Sequence, residues 1–586
     1  MDDEGAFDVI VIGTGLTESI TAAALAKAGF KVAHLDENVY YGGDEASLSL
    51  DEYIDWATQP RTSTQISSFS SLSPSDTLPN SRQYSISLSP SVIPATGPLI
   101  SSLVASGVSR YGGFRLVEHV AVYSSDHKVE TVPGSKEDIF KDKTISLLDK
   151  RRLMRFLVFA SEDEEFEGRV ELEGTNVDMP FLEFLKATFS LNQEIAETIT
   201  YALSYCTSPT DKTLPALHRL RRYLRSIGRY GHSPFLVGHY GSSGEIAQGF
   251  CRTAAVAGAV YILGKPISSI TRNRNSEKAQ STPTYTLTLA DFPEPITCHL
   301  LISSESRLPV ELIRNIDAIQ RIPSAFPFAD EDKPIKIARG VCIIDQALTL
   351  TPTQDSLIFG EADLENSITE SSPALDTGIV VFPPFSVPAG FAPSAVTVLV
   401  VGEGSFSVPK GKWIIYISTP IPSFSPDSNH DSDPVVSPET LLKPYLETTL
   451  SFSSTSSVKP LIPLFTSFYL QSTSPAPRAA SVTASAVPTD LSASHEVSNS
   501  IDPPSPSILL MPLPEILPLP DSGDASALNA EAVFWEAIKA LNGFKDTKKQ
   551  EASQEQDAPP VREEDRLSIE SFWPPVVSEE DDEDEL

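Results

Sequence analysis

The sequence predicts an α/β protein: a dinucleotide-binding-like sheet domain, a mostly helical second domain inserted in it, polar insertions and an acidic tail. Three observations lead there. Residues 8–18, Asp-Val-Ile-Val-Ile-Gly-Thr-Gly-Leu-Thr-Glu, run from an apolar strand through a glycine turn into a helix. Apolar spacing changes from the alternation of strands to a helical period between residues 145 and 229, then changes back. Ser/Pro-rich stretches and a terminal run of acids punctuate the chain without apolar periodicity.

The elements follow in order. Val9, Ile10, Val11 and Ile12 form a buried strand, Gly13 and Gly15 make the turn, and Ile20, Ala23, Ala24 and Ala28 give the helix a small-residue face that Gly29 ends. A second strand over 31–35 leads to Asp36, where a nucleotide site would place an acid on a ribose hydroxyl. Residues 38–43 form a sharp turn, and 61–88 read as a disordered insertion, with order resuming near Leu88. Strands are expected within 113–132. Helical stripes follow: Leu147, Leu148, Leu153, Phe156 and Leu157; Phe181, Phe184 and Leu185; Ile195, Ile199, Ala202 and Leu203; Leu217, Leu220, Leu224 and Ile227. A helix is expected from about Gln248 to Leu263, and strands over 284–303, 335–345, 379–382, 396–402 and 413–418. Insertions at 421–437, 472–486 and 497–507 precede a last helix, Asn529–Leu541, with Asn529 as N-cap. The expected domains are therefore 1–144 with 230–545 for the sheet domain, 145–229 for the helical domain, and 546–586 for a disordered tail.

The third position of the glycine fingerprint is spoiled. A working G-x-G-x-x-G needs its last glycine for close helix–strand packing, and the helix N-terminus receives a pyrophosphate. Here that position is Glu18, which adds bulk and negative charge where phosphate would sit. The fold signal of Gly13 and Gly15 survives; the cofactor signal does not, and bound flavin is not expected. Composition excludes other classes. A net charge of −34 opposes nucleic acid and anionic membrane surfaces as direct partners. Cys206, Cys251, Cys298 and Cys342 show no metal-ligand spacing, and read as buried thiols of a reducing compartment. An acidic start leading directly into a strand gives no signal-peptide pattern, and no apolar run reaches the roughly 18–20 residues of a membrane span. His34, His232 and His239 read as structural. No metal set, Ser/His/Asp triad or carboxylate pair stands out, so the chain shows no chemistry of its own.

Several motifs together resemble the GDP-dissociation inhibitor superfamily, which contains Rab GDP-dissociation inhibitors and Rab escort proteins. They are Phe7 through Gly43, with Tyr40-Tyr41-Gly42-Gly43; Gly228-Arg229-Tyr230-Gly231; Ser233-Pro234-Phe235-Leu236; and Tyr240-Gly241 followed by Gly244-Glu245-Ile246-Ala247-Gln248-Gly249-Phe250. The segment Val132-Pro133-Gly134-Ser135-Lys136-Glu137-Asp138-Ile139-Phe140 resembles the escort-protein branch, as do the insertions and acidic tail. The chain departs from the pattern at Ser242-Ser243, where one residue is usual, at Ala247 in place of proline, and at Ile262 in place of methionine.

The resemblance implies a family that shares ancestry with flavin monooxygenases but binds protein instead of flavin. It implies a Rab-binding platform at Tyr41, Glu245 and Arg252; Gln248 either joins it or caps its own helix, and Tyr261, further along the same helix as Arg252, is either a contact or a core residue. The spacing of Glu245 and Arg252 sets them about two helical turns apart on one side. It further implies partners: GDP-bound Rab GTPases, the α/β heterodimer of Rab geranylgeranyltransferase, and the geranylgeranyl lipid carried by Rab, held between helices of the second domain in a groove closed until lipid arrives. A mobile apolar segment in the first domain would grip the Rab tail before prenylation. The implied protein is a non-catalytic accessory component, cytoplasmic with transient peripheral membrane contact. A Rab GDP-dissociation inhibitor that recycles prenylated Rab, and a flavin-dependent oxidoreductase, are the rival readings.

Overall fold

A computed structural model describes residues 5–58, 66–72, 78–124, 128–133, 145–166, 168–273, 284–314, 318–327, 336–350, 374–421, 437–452, 461–472, 506–512, 515, 517–552 and 569–574. The first strand, β1 (Ala6–Ile12), lies at the centre of an eight-stranded sheet. It pairs in parallel with Ile296–Ser303 on one side and with β2 (Val32–Asp36) on the other, and Val260–Leu263 adds in parallel beyond β2 as the edge. Strands covered on both faces are apolar at successive positions, which accounts for Val9, Ile10, Val11 and Ile12 all being buried. Tyr285–Leu289 and Ile267–Arg272 extend the other side antiparallel. The strand Ile296–Ser303 forks: its first half pairs with Tyr285–Leu289, and Leu301 to Ser303 pair with Ile508–Leu510.

The helix α1 (Leu16–Lys27) packs its alanines against two other helices, Ser243–Val256 and Ser522–Ala552. Ala22, Ala23, Ala24 and Ala26 are buried there; side chains this small let helix axes approach. Gly29 closes the helix at φ +86°, the left-handed conformation glycine adopts without a Cβ clash.

A second eight-stranded sheet runs in the order Ile66–Leu72, Phe465–Ser472, Lys336–Ile344, Trp413–Ile421, Val396–Val401, Thr377–Phe382, His119–Tyr123 and Val129–Thr131. All neighbours are antiparallel except Thr377–Phe382 with His119–Tyr123. Alternation assigns its two faces to two cores. Val380, Phe382, Ile415, Ile417 and Cys342 face the helix Pro438–Leu450. Ile379, Val381, Ile414, Tyr416, Val341 and Ile343 face the helical segment.

That segment contains helices Leu147–Ser161, Phe181–Phe189, Gln193–Glu197 and Thr213–Ser226, with a π-helical turn at Thr198–Leu203. Ser146 starts the first of them, its hydroxyl accepting the Asp149 backbone N–H at 3.2 Å. Phe156, Phe159, Phe166, Phe181, Phe184 and Phe189 fill its interior as ring-to-ring neighbours. Its core is continuous with one face of the second sheet. The expected sheet domain thus contains two large sheets, with a three-stranded and a two-stranded sheet besides, and the helices share a core with the second large sheet.

Four local expectations change. The expected helix to Leu263 stops at Val256; Gly258 turns the chain at φ +94° and Val260–Leu263 is a strand, so Tyr261 lies on the sheet edge. Order begins before Leu88: Tyr84 and Ile86 are buried, and Ile66–Leu72 pairs with Phe465–Ser472, within the stretch read as an insertion. The last helix begins at Ser522 and continues to Ala552, so it extends past Lys545; Asn529 lies inside it and accepts the Ala325 backbone N–H at 2.8 Å instead of capping. The expected disordered tail contains a docked piece. Phe572 is 8% exposed against Phe534, and Trp573 stacks on Phe250 at 5.9 Å. The expected insertions at 421–437 and 472–486 fall almost wholly outside the described residues.

A buried ion cluster joins the helical segment to the start of the last helix. Arg219 Nε donates to Asp521 Oδ2 at 2.6 Å, Arg222 Nη2 donates to Asp521 Oδ1, and Arg222 Nη1 donates to Asp524 Oδ2 at 2.9 Å. Both carboxylates are fully buried, and burial pushes Asp524 up to about 6. Removing one partner of such a cluster leaves uncompensated charge, which costs about 3–5 kcal/mol. Asp521→Asn is therefore expected to lower unfolding free energy by about 3 kcal/mol in a urea titration; a loss under about 1 kcal/mol would show that the arginines find other partners. Phe572→Ala is expected to lose about 3 kcal/mol in the same titration through the cavity left beside Phe534, whereas an unchanged midpoint would mean that the docked segment lies apart from the cooperative core.

Candidate functional site

The turn between β1 and α1 is the cradle where a dinucleotide fold receives pyrophosphate. Gly13 adopts φ +106°, and His34 Nε2–H donates to its carbonyl. Burial lowers the His34 pKa to about 4, so the ring is neutral in this role. Asp36, at the end of β2, sits where an acid would hold a ribose. Its Oδ2 accepts the Thr14 backbone N–H at 2.8 Å and the Thr14 hydroxyl at 2.6 Å; its Oδ1 accepts both the backbone and side-chain N–H of Asn38 at 2.9 Å. Asp36 is thus committed to the chain's own turns.

Three side chains from three parts of the chain fill the cradle. Glu45, in the short turn Gly43–Glu45, accepts the Leu16 backbone N–H at 2.5 Å and so caps the N-terminus of α1. Arg307 lies against the glycines: a Cβ built on Gly13 would fall 2.5 Å from its Nη1, and one on Gly43 would fall 3.1 Å from its Nη2. Its guanidinium is also 3.7 Å from the Asp36 carboxylate. Glu18 turns its carboxylate back over Gly15, where a Cβ would meet it at 2.6 Å. Burial raises the pKa values of Glu18 and Glu45, the latter to about 7. These residues do not fit a dinucleotide phosphate: the N–H that would bind it is taken, and carboxylates line its path.

The five residues expected to form a platform fall on the turn after β2, the edge strand beside it and the helix Ser243–Val256, whose first turn abuts Gly42. Tyr41 and Tyr261 meet edge to face at 5.9 Å, and Tyr261 also packs on His34 at 4.9 Å. The Tyr261 hydroxyl faces the Cys251 thiol. Glu245, Gln248 and Arg252 follow one another along one side of the helix Ser243–Val256. Gln248 and Arg252 are exposed and Glu245 is half-buried, with burial raising its pKa. The structure therefore forms two groups, a tyrosine pair on the sheet edge and a polar stripe on the helix.

The helix and the turn between them touch backbone to backbone. A Cβ on Gly244 would fall 2.4 Å from the Ser47 nitrogen, and one on Gly42 would fall 2.8 Å from the Ala46 Cα and 3.3 Å from the Gly244 Cα. The extra serine is absorbed just before the helix by three successive positive-φ residues, Tyr240, Gly241 and Ser242. Ser242 Oγ accepts the Gly238 N–H at 3.2 Å, and the Ser243 hydroxyl bonds that of Ser91 at 2.7 Å. Three residues here carry no signal in the sequence. Tyr111 is 65% exposed and lies 5.0 Å from the Arg252 guanidinium, a cation–π contact. Glu45 and Arg307 matter only because distant segments meet at the cradle.

Among the described residues there is no cluster able to hold a metal ion, and no helix long and apolar enough to cross a membrane. All four cysteines are buried and free. The escort-like segment 134–140 lies outside the described residues.

Comparison with known proteins converges on one family. The family model described as GDP dissociation inhibitor matches residues 1–322, more than half of the chain. The Rab proteins geranylgeranyltransferase component A of Drosophila melanogaster is 34% identical over 291 residues, which is 46% of this chain and 55% of that protein. That of Saccharomyces cerevisiae is 29% identical over 417 residues, 70% of this chain and 61% of the relative. A Schizosaccharomyces pombe protein named as an uncharacterized Rab geranylgeranyltransferase is 30% identical over 437 residues, 72% of this chain and 83% of its own length. The chain thus spans only a little over half the length of the fly and budding-yeast relatives it matches. In fold, it is similar to the crystal structure of Rab GDI from Plasmodium falciparum, with a TM-score of 0.52 at 20% identity, covering 82% of this chain and 92% of that one. With the motifs, the filled cradle and the family match in agreement, the chain belongs to the GDP dissociation inhibitor family.

Proposed function

We propose that this protein is a Rab escort protein, the accessory component of a Rab geranylgeranyltransferase. It binds a newly made, GDP-bound Rab on the platform of Tyr41, Glu245, Gln248, Arg252 and Tyr261. It presents the Rab C-terminal cysteines to the α/β transferase heterodimer, then shields the attached geranylgeranyl chain and delivers the Rab to a membrane. The transfer reaction belongs to the heterodimer; this chain has a recognition role and holds no flavin. The observation that carries the reading is the contrast between the two halves of the site. The cradle is filled by Glu18, Glu45 and Arg307, while the adjoining Gln248, Arg252 and Tyr111 face outward.

The relatives named component A support the escort branch over a recycling dissociation inhibitor. An exposed arginine on a tyrosine face suits the depletion of lysine and enrichment of arginine and aromatics at interface centres. Shielding a twenty-carbon lipid is favourable by about 0.8 kcal/mol for each methylene buried, and the phenylalanine-rich helical segment is the apolar part of the chain suited to it.

Reconstitution with unprenylated Rab, the transferase heterodimer and geranylgeranyl pyrophosphate tests the proposal. Lipid transfer that depends on this chain is expected. Extraction of prenylated Rab from membranes without any support of transfer would establish the dissociation-inhibitor reading instead. Arg252→Ala is expected to weaken binding of labelled Rab by about 2 kcal/mol, as truncation of an interfacial arginine does, with unchanged thermal unfolding; less than a twofold loss would remove it from the platform. The purified protein is expected to be colourless, and a stoichiometric flavin absorption spectrum would overturn the binding-protein reading altogether.

A further inference from the structure

We propose that Glu45 and Arg307 are positioning residues for Tyr41: they occupy the dinucleotide cradle so that it holds the turn 40–46 in the conformation that displays the platform tyrosine. This inference rests on the platform reading above. Tyr41 sits on that turn, immediately before Gly42 and Gly43, which have φ of +96° and +52°. Such a turn has only a single 3-10 turn, Gly43–Glu45, of its own to fix it. Its attachments are instead made to the cradle. The Gly42 N–H donates to the Thr14 carbonyl at 3.0 Å and to the Thr14 hydroxyl at 3.1 Å. Asn38, at the start of the turn, is fastened to Asp36, and its carbonyl accepts the Gly264 N–H at 2.9 Å from the end of the edge strand. Glu45, at the far end, bonds the first N–H of α1. Arg307 bridges the two sides, its guanidinium resting on Gly13 of the cradle and Gly43 of the turn.

A ligand phosphate in such a cradle would draw loop and helix together through the same N–H groups. Here a carboxylate and a guanidinium from the chain replace it, so the turn is held in every molecule without dependence on a bound nucleotide. The consequence falls on Tyr41, because its ring reaches Tyr261 only while the turn is seated between the cradle and the backbone of Gly244. A cap that merely stabilised α1 would contribute to folding and leave the affinity for Rab unchanged. A positioning residue acts on affinity through Tyr41 and only through it.

A double-mutant cycle on the full chain separates these roles, read as the affinity for fluorescently labelled Rab–GDP. Glu45→Ala is expected to weaken binding about tenfold with Tyr41 present, and less than twofold when Tyr41→Ala is already in place. Glu45→Gln keeps an acceptor for the Leu16 N–H and is expected to restore binding to within about twofold of the parent. Thr14→Ala gives the same test from the other side of the cradle, without altering a charge, should Glu45→Ala reduce the folded fraction; Thr14→Ser is its rescue. Additive losses in both cycles, or undiminished binding by Glu45→Ala and Thr14→Ala, would overturn the positioning role while leaving the platform intact, provided Tyr41→Ala itself binds weakly. Full-strength binding by Tyr41→Ala would overturn both the positioning role and Tyr41's place on the platform.

Discussion

A helix that starts against a sheet presents backbone N–H groups that need acceptors, and a nearby carbonyl cannot supply them because the helix has only begun. In dinucleotide folds the acceptor is a phosphate. In this protein it is the Glu45 carboxylate, and α1 has no side-chain cap of the usual kind from Gly15. Much of the site depends on this substitution. It ties the turn after β2 to the beginning of α1, brings Arg307 in to balance the acids around Asp36, and seats the turn against the helix Ser243–Val256 through Gly42 and Gly244. The strand–turn–helix geometry of a dinucleotide fold is kept here with its first helix N–H satisfied from within the chain.

The same internal closure recurs at larger scale. The helical segment has amphipathic helices whose apolar faces require a second surface, and the second sheet provides one through Ile379, Val381, Ile414 and Tyr416. Its half-buried arginines, Arg219 and Arg222, meet the buried Asp521 and Asp524 at the entry to the last helix. That helix in turn packs along α1, and the tail segment with Phe572 and Trp573 closes over it. A chain of contacts thus runs from the helical segment to α1 and the helix Ser243–Val256. It gives the proposed lipid-shielding and Rab-binding parts a shared scaffold.

Reading by local pattern worked where the pattern is set by neighbours in sequence. The segments 379–382, 396–402 and 413–418, read as strands, are apolar at nearly every position because their two faces meet two cores, and the observed strands Thr377–Phe382, Val396–Val401 and Trp413–Ile421 match them closely. It misplaced Tyr261 because the helix end is decided by Gly258, and the apolar residues beyond it suit an edge strand as well as a helix. It read 61–88 as an insertion because Ser and Thr dominate its composition, yet a few apolar residues, Tyr84 and Ile86, are sufficient to anchor its second half. Asn529 has the composition of a cap, but its carboxamide accepts from Ala325, a partner distant in sequence.

By itself, then, the sequence determined the strand–glycine turn–helix opening, the spoiled third glycine position, the helical interruption and the placing of Glu245 and Arg252 on one side of a helix. Each depends on residues within a few turns of one another, where backbone sterics and side-chain period act directly. Only the tertiary structure decided what fills the cradle, which residue stands over Arg252, and where the tail goes. Arg307, Tyr111 and Phe572 come from segments far apart in the chain, and nothing in their own neighbourhoods distinguishes an arginine that will face two glycines, or a phenylalanine that will face Phe534, from one left in water. Their places follow from closing the sheet and packing helices upon it, a constraint that acts on the whole chain at once.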